Sequence, residues 1–347
     1  MDLEFIKKEL RDYDGPPIKL MEICGSHTQA IASNGIPSMI SKKITLVSGP
    51  GCPVCVTATA YIDKLIELAK NGSTIVTFGD LIRVPGSRKS LSEIKGEGAE
   101  VEMVYSPFDV IELAKKTPEK EFVFAAVGFE TTTPVYALLL EDIIKNKIKN
   151  IKLLTSLKTM PQIVEQMLDE GADIDGFIAP GHVCVVTGYD IFLPVAKKYG
   201  IPFGVSGFRG EELLLAIYGI IRHIGEGAVY NYYTSVVKKD PNPRVKDIIF
   251  KYFEKCDEGW RGMGMVEGSG LRIKDEYGYT DAGSDGLFED KKKNKACCCE
   301  QVLMGKMMPA ECPLYGKVCQ PLNPQGACMV SEEGSCYSSY TNHRAME

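Results

Sequence analysis

Short apolar runs alternate with longer amphipathic stretches from Ile18 to about Ser206. The runs have the length of buried strands, and Leu, Ile and Ala recur at helical spacing between them. This rhythm is typical of parallel sheets covered by helices, so we predict two similar α/β units of four strands each, facing one another across a cleft. The predicted strands, in chain order, are Ile18–Ile23, Ile44–Ser48, Thr74–Phe78, Val101–Tyr105, Phe122–Val127, Lys152–Thr155, Gly176–Ala179 and Pro202–Val205.

The 347 residues are enough for several compact domains, each with its own core. Beyond about Asn231 the apolar periodicity fades, and Gly, Pro, Tyr and Cys become more frequent. We therefore predict a first α/β domain over residues 1–117, a second over 118–230, and an irregular, cysteine-rich domain over 231–347. A segment of that last kind usually needs a metal ion or a cluster to hold it together.

The charge and the apolar pattern exclude several classes of function. A net charge of −6 offers no basic surface for nucleic acid. Residues 1–14 have the spacing of an amphipathic helix rather than of a secretion signal, and no apolar run approaches the ~20 residues of a membrane helix. We expect a cytoplasmic protein with neither a nucleic-acid nor a membrane partner.

The chain has twelve cysteines, which a reducing compartment would keep from forming structural disulfides. Metal binding or redox chemistry is then the better interpretation. The cysteines fall into an N-terminal group, two isolated residues and a C-terminal group, which indicates two separate thiol sites. In that order they are Cys24, Cys52 and Cys55; Cys184 and Cys256; and Cys297, Cys298, Cys299, Cys312, Cys319, Cys328 and Cys336.

The N-terminal thiols follow two predicted strands. Cys24 comes after the first, and a Gly-Pro-Gly turn with Cys52 and Cys55 comes after the second. Ligands bind at the carboxyl ends of parallel strands, so the three thiols should converge if the strands are neighbours. The Cys52-x-x-Cys55 spacing permits a reversible disulfide, and His27 adds an imidazole suited to iron, copper or zinc. The alternatives are small buried side chains and a structural histidine.

The segment 128–134 follows another predicted strand and contains Glu130 and three threonines. Glu130 could exchange hydrogen bonds with a small polar ligand, and the backbone at the start of the next helix could receive an anion. Simple helix capping by Thr131–Thr133 explains the same residues.

The C-terminal cysteines are spaced for a cluster rather than for zinc. Cys297, Cys312, Cys319 and Cys336 are separated by 14, 6 and 16 residues, whereas zinc sites usually use tight pairs. A four-thiolate [4Fe-4S] cluster tolerates irregular spacing. Cys298 and Cys299 compete with Cys297 for the first position, and Cys328 competes for any of them.

These motifs together resemble the HypD family of hydrogenase maturation factors over nearly the full chain. The resemblance is carried by Met21-Glu22-Ile23-Cys24-Gly25-Ser26-His27-Thr28, Gly49-Pro50-Gly51-Cys52-Pro53-Val54-Cys55, Thr77-Phe78-Gly79-Asp80, Gly128-Phe129-Glu130-Thr131-Thr132-Thr133-Pro134, Cys312-Pro313-Leu314-Tyr315-Gly316 and the segment 326–336.

The resemblance implies a scaffold that assembles the Fe(CN)2CO unit of nickel–iron hydrogenases, with two α/β domains and a third that holds a [4Fe-4S] cluster. It implies a small HypC-like chaperone and a HypE-like cyanide donor as partners. By the same resemblance, Cys24 ligates the iron together with a chaperone thiolate, Cys52 and Cys55 form a redox pair, and the cluster supplies electrons to that pair. No turnover enzyme class follows from it.

The sequence departs from the family pattern at several positions. Gln29 and Ser48 stand where histidines are usual, Cys184 stands where a serine is expected, and Arg209-Gly210 replaces Glu-Pro. A divergent paralogue with another client is therefore one alternative function. Another is a cluster-dependent thiol/disulfide reductase, for which a Cys-x-x-Cys pair beside a cubane would suffice. A third is a zinc-stabilised binding module, which the ligand spacings disfavour.

Overall fold

The computed structural model of the chain describes residues 2–291 and 294–344. Its strands are β1 (Ile18–Glu22), β2 (Ile44–Ser48), β3 (Thr74–Thr77), β4 (Val101–Met103), β5 (Phe122–Gly128), β6 (Ile151–Lys158), β7 (Gly176–Pro180), β8 (Phe203–Ser206), β9 (Val229–Asn231), β10 (Phe253–Trp260) and β11 (Gly264–Ile273).

The α-helices are α1 (Leu3–Arg11), α2 (Gly25–Ser33), α3 (Ile36–Met39), α4 (Thr59–Lys70), α5 (Leu91–Gly96), α6 (Asp109–Lys116), α7 (Thr133–Lys145), α8 (Met160–Asp169), α9 (Gly181–Thr187), α10 (Leu193–Tyr199), α11 (Gly210–Arg222), α12 (Pro243–Tyr252), α13 (Cys299–Leu303) and α14 (Ser335–Arg344). No helix of the described ranges is long and apolar enough to cross a membrane.

The strands form two sheets. The five-stranded sheet has the order β2-β1-β7-β8-β9, and every neighbouring pair in it is parallel. The six-stranded sheet has the order β10-β11-β6-β5-β3-β4, in which β6, β5, β3 and β4 are parallel and the β10–β11 hairpin is antiparallel. The prediction of an α/β fold with two largely parallel sheets is confirmed.

The predicted grouping of the strands is wrong. β1 and β2 pair with β7 and β8, while β3 and β4 pair with β5 and β6. Each sheet therefore takes strands from both sides of residue 117, the predicted boundary. Local sequence identifies a strand, but the choice of neighbour depends on packing between distant segments, which periodicity does not encode. The cleft between the two units stays a prediction.

Part of the segment expected to be irregular is regular. α12, β10 and β11 follow residue 231, and the β10–β11 hairpin extends the six-stranded sheet. These strands escaped the sequence analysis because antiparallel strands near a sheet edge alternate buried and exposed residues instead of forming continuous apolar runs. After Ile273 the regular elements are short, and the seven C-terminal cysteines lie in these elements or in the loops between them.

Candidate functional site

Cys24 follows β1 and directly precedes α2. β1 and β2 are parallel neighbours, with Glu22 opposite Ser48, so the turns that follow them meet. The Gly25 amide donates to the Gly51 carbonyl at 2.9 Å. A Cβ on Gly51 would lie 2.3 Å from the Cys24 nitrogen, so only glycine permits this approach. The two cysteine-bearing turns lie in contact, as predicted from their strand ends.

Cys52 and Cys55 form a disulfide with a Cα–Cα distance of 5.2 Å. Both side chains are buried, and the Cys55 amide lies 3.1 Å from Cys52 Sγ. Helix α4 begins at Thr59, and Thr57, two residues before it, forms an antiparallel bridge with Trp260. The Cys-x-x-Cys segment thus sits in a turn that a second part of the chain holds in place.

The surroundings of Cys24 favour its protonated thiol. Burial raises the pKa of Cys24 to about 12, against the opposing effect of the His27 amide, and the carboxyl groups of Glu22 and Glu333 raise it further. Glu333 comes from the C-terminal region, where its side chain accepts a hydrogen bond from Ser26 at 2.7 Å. A bound metal cation would reverse this preference, because a coordinating thiol is deprotonated by the metal charge.

Glu22 is a site residue that the sequence analysis missed. It is buried at the end of β1, where its carboxyl group accepts hydrogen bonds from the Cys24 amide at 3.0 Å and from the Thr28 hydroxyl. Burial raises the pKa of Glu22 to about 8, although Thr28, Cys24 and Ser48 donate hydrogen bonds that lower it. The available signal was a charged residue inside the apolar run Ile18–Ile23.

We expect Glu22 to make the protein less stable as the pH rises from 7 to 8. An acid whose folded pKa is raised stabilises the fold below its unfolded pKa of about 4.5, and that stabilisation is lost as the pH approaches the folded pKa of about 8. The free energy of unfolding should fall by about 1 kcal/mol over this step. Urea denaturation at both pH values measures it.

Glu22→Gln should remove this dependence, because glutamine keeps an acceptor for the Cys24 amide but does not ionise. The matched control is Glu289→Gln, since Glu289 is exposed and Lys291 lowers its pKa, so that it stays ionised over the same range. An equal pH dependence in Glu22→Gln and the unmodified protein would contradict the role assigned to Glu22.

His27 is fully buried and has one clear partner. Its Nε2 lies 3.0 Å from the carbonyl oxygen of Gly207, while Nδ1 has no hydrogen-bond partner in the described part of the chain. Its ring lies 4.7 Å from that of Phe208, which also stacks on His182 at 3.9 Å. Burial lowers the pKa of His27 to about 4, so the ring is neutral near pH 7. One ring nitrogen thus contacts the backbone, and the other is buried without a hydrogen-bond partner among the described residues.

Glu130 is buried on the loop between β5 and α7. One carboxyl oxygen accepts the Met160 amide at 2.8 Å, whereas Oε2 has no partner among residues 2–291 and 294–344. Burial raises the pKa of Glu130 to about 7. Burial, and then the charges of Glu130 and Cys24, raise the pKa of the buried Cys184 thiol.

Six of the seven C-terminal cysteines are buried, and the sulfur atoms of three of them lie in contact. Cys299 Sγ and Cys328 Sγ lie 2.8 Å apart, and Cys328 Sγ lies 3.1 Å from Cys336 Sγ. The set consists of the four predicted ligands and both alternates, namely Cys297, Cys299, Cys312, Cys319, Cys328 and Cys336. We call these six residues the cysteine cluster.

Within the Cys297-Cys298-Cys299 triplet, the outer two residues belong to the cysteine cluster. A Cβ on Gly326 would lie 2.7 Å from Cys297 Sγ and 3.3 Å from the Cys299 Cβ, so both pack on that glycine. Cys298 is half-buried, and its thiol contacts the Ala296 carbonyl at 3.5 Å. The Cys299 thiol and burial raise the pKa of Cys297. The alternates Cys299 and Cys328 are as deeply buried as the four predicted cluster ligands.

The donor set of the cysteine cluster fits an iron–sulfur group better than a single ion. Iron–sulfur clusters are held by thiolates, and this site offers six of them. No group of three or more His, Cys, Asp or Glu side chains in the described residues has the geometry to hold one metal ion. A cluster spreads its thiolates over separate iron atoms and does not require that geometry. A cluster would take its ligands from these six thiols.

The disulfide and the cysteine cluster adjoin. Cys55 Sγ lies 3.9 Å from the carbonyl oxygen of Ala327, the residue before Cys328. The Cys24 turn touches the same C-terminal region through Glu333. Cys24, the disulfide and the cysteine cluster therefore form one continuous region, although the cluster lies more than 200 residues from the other two in sequence.

A disulfide and an adjoining group of buried thiols on a two-sheet α/β framework define a cysteine-rich α/β protein. The family model described as "HypD: Hydrogenase formation hypA family" matches residues 3–343. The chain belongs to the HypD family, whose members act in hydrogenase maturation.

Curated relatives agree over almost their full length. The chain is 41% identical over 331 residues to a putative hydrogenase expression/formation protein of Methanocaldococcus jannaschii, covering 94% of this chain and 92% of the relative. It is 40% identical to the hydrogenase maturation factor HypD of Rhodobacter capsulatus, covering 95% and 91%. It is 39% identical to that of Azotobacter vinelandii, covering 94% and 89%.

Proposed function

We propose that the protein is a cytoplasmic scaffold that assembles the Fe(CN)2CO unit of a nickel–iron hydrogenase. The observation that carries the proposal is the continuity of the Cys24 turn, the Cys52–Cys55 disulfide and the cysteine cluster. A single iron ion, the cargo, would bind at Cys24, and electrons would reach it from the neighbouring thiols. Family membership supports the process that this chemistry serves.

Cys24 alone cannot complete the coordination of an iron ion. No described group of three ligating side chains has the geometry for one metal ion, so the other ligands must come from outside the chain. Cyanide, carbon monoxide and a thiolate of a HypC-like chaperone supply them in this proposal, with cyanide delivered by a HypE-like donor. Soft thiolate ligands suit iron bound in this way.

The Cys52–Cys55 disulfide provides a store for two electrons beside the iron. Two electrons and two protons convert it to two thiols, and oxidation of those thiols returns the electrons. A [4Fe-4S] cluster on the cysteine cluster supplies one-electron redox chemistry when bound. The 3.9 Å contact between Cys55 Sγ and the Ala327 carbonyl oxygen supports a short path between the two sites. A cellular reductant would replenish the electrons.

We expect Cys319→Ala to lose most of its iron–sulfur content. Cys319 is buried in the cysteine cluster, and burial raises the pKa of its thiol in the absence of metal. Iron and sulfide analysis after anaerobic reconstitution measures the loss. The absorbance at about 400 nm, which thiolate-held clusters show, gives a second reading. Cys298→Ala is the matched control, since Cys298 is half-buried and lies outside the cysteine cluster. Equal cluster content in both variants would contradict the assignment.

Infrared and Mössbauer spectroscopy on anaerobically purified protein, mixed with its chaperone and cyanide donor, tests the scaffold function. Bands of iron-bound cyanide and carbon monoxide beside a cubane signal are the expected result. A cubane without those bands, with both partners present, would reject the scaffold.

The second candidate function is a thiol/disulfide reductase. The disulfide beside six buried thiols favours it, since these groups suffice for electron exchange without a bound iron unit. Catalytic reduction of a disulfide substrate by protein that lacks the mononuclear iron would support this function over the scaffold.

A further inference from the structure

Arg261 is a buried cation that holds the end of the disulfide turn. It follows the last residue of β10, and only 7% of its surface is exposed. Its backbone amide donates to the Val56 carbonyl at 2.8 Å, and its Nε donates to the Thr57 carbonyl at 2.6 Å. A terminal guanidinium nitrogen reaches the Pro85 carbonyl at 3.4 Å. Val56 and Thr57 are the two residues after the disulfide.

No carboxylate of the described residues forms an ion pair with Arg261, although Asp290 and Glu300 line a cavity beside it. Over residues 2–291 and 294–344 its side-chain hydrogen bonds go to carbonyl oxygens, and no ion pair includes it. Lys158 shows the contrast, because this buried ammonium group has Glu258 at 3.2 Å. A buried charge is costly unless a counter-charge compensates for it. Arg261 is therefore suited to an anion that is present in only one state of the protein.

The guanidinium also faces the cysteine cluster. A small cavity of about 20 Å3 is lined by Arg261, Asp290, Cys297, Cys299 and Gly326 among its walls. That volume holds about one water molecule. Arg261 therefore lies between the disulfide turn on one side and two thiols of the cysteine cluster on the other.

We infer that Arg261 is a positioning residue that favours reduction of the Cys52–Cys55 disulfide. The inference rests on the proposed function, in which this disulfide accepts electrons. Two electrons and one proton convert the disulfide to one thiol and one thiolate, and the S–S bond breaks. The new negative charge appears in the turn that the Arg261 guanidinium holds through the Thr57 carbonyl, so the guanidinium stabilises the product more than the reactant.

The equilibrium constant for reduction of the pair tests this inference. Full-length protein is equilibrated anaerobically in buffers of oxidised and reduced dithiothreitol, and alkylation with mass spectrometry gives the fraction of Cys52 and Cys55 that is reduced. We expect Arg261→Gln to lower the constant about tenfold, which corresponds to about 30 mV for this two-electron couple. Arg261→Lys should keep most of the effect because it keeps the charge.

Two further variants separate charge from structure. Arg83→Gln is the matched control, since exposed Arg83 also donates to a backbone carbonyl, that of Pro321 at 3.2 Å, and it should leave the constant unchanged. Asp290→Asn should raise the constant, because it removes a negative charge from the same cavity. This opposite sign tests the inference even if Arg261→Gln folds poorly.

The outcomes distinguish this inference from the proposed function. An unchanged constant in Arg261→Gln and in Asp290→Asn, or equal losses in Arg261→Gln and Arg261→Lys, would overturn the role of Arg261 while leaving a redox-active pair. A pair that cannot be reduced reversibly in the unmodified protein would overturn the redox step of the proposed function, and this inference with it.

Discussion

Cys24→Ala protein is expected to keep its iron–sulfur colour and to lose all delivery of the iron unit to its client. The other thiols near it are poorly placed to take over, because Cys184, Cys52 and Cys55 are all buried and the last two are paired in the oxidised protein. The cysteine cluster does not include Cys24, so its metal content should be unchanged. Client maturation in a reconstituted system and cluster absorbance measure the two effects.

The fold should tolerate this substitution. Cys24 precedes α2 without a side-chain capping hydrogen bond, so its removal should change the free energy of unfolding by less than about 1 kcal/mol. Cys256→Ala is the matched control, because Cys256 is a free cysteine on β10 that belongs to neither thiol site. Maturation that persists in Cys24→Ala, or that fails equally in Cys256→Ala, would refute the iron-binding role of Cys24.

The placement of the N-terminal cysteines could be predicted because it depends on strand ends. Cys24 and Cys52 each follow an apolar run, and parallel neighbouring strands bring such positions together at one edge. Cysteine counting drew attention to the C-terminal group, in which Cys297, Cys312, Cys319 and Cys336 are each buried. Cys299 and Cys328 are buried as well and lie in contact, so burial alone does not select four ligands from the six.

Features that depend on distant contacts could not be predicted. The pairing of β1 with β7 joins segments about 150 residues apart, and no local pattern specifies it. Glu22 and Arg261 escaped the sequence analysis for the same reason, because both are charged residues that become buried only when remote segments pack over them. In the sequence, Arg261 is one of 40 basic residues, most of which would be assigned to solvent.

Trp260→Ala should cause the largest loss of stability among the substitutions considered. Trp260 is the only tryptophan of the chain and is fully buried. Its indole N–H donates to Ser269 Oγ at 2.8 Å, and its ring stacks on Phe129 at 5.9 Å. Truncation would leave a cavity beneath the disulfide turn. We expect the free energy of unfolding to fall by about 3–5 kcal/mol, measured by urea denaturation with circular dichroism.

Trp260→Phe distinguishes packing from hydrogen bonding at this position. Phenylalanine keeps most of the apolar contact with Phe129, and Ser269 retains its hydrogen bond to the Val266 carbonyl at 2.8 Å, so the loss should be less than half that of Trp260→Ala. Tyr279→Ala is the control, because Tyr279 is 65% exposed and should cost less than about 1 kcal/mol. Equal losses in the two Trp260 variants would mean that the indole hydrogen bond, rather than packing, holds β10 beneath the disulfide. Trp260 pairs with Thr57 and precedes Arg261. A loss of packing at Trp260 would therefore also weaken the contact between the disulfide turn and the Arg261 guanidinium.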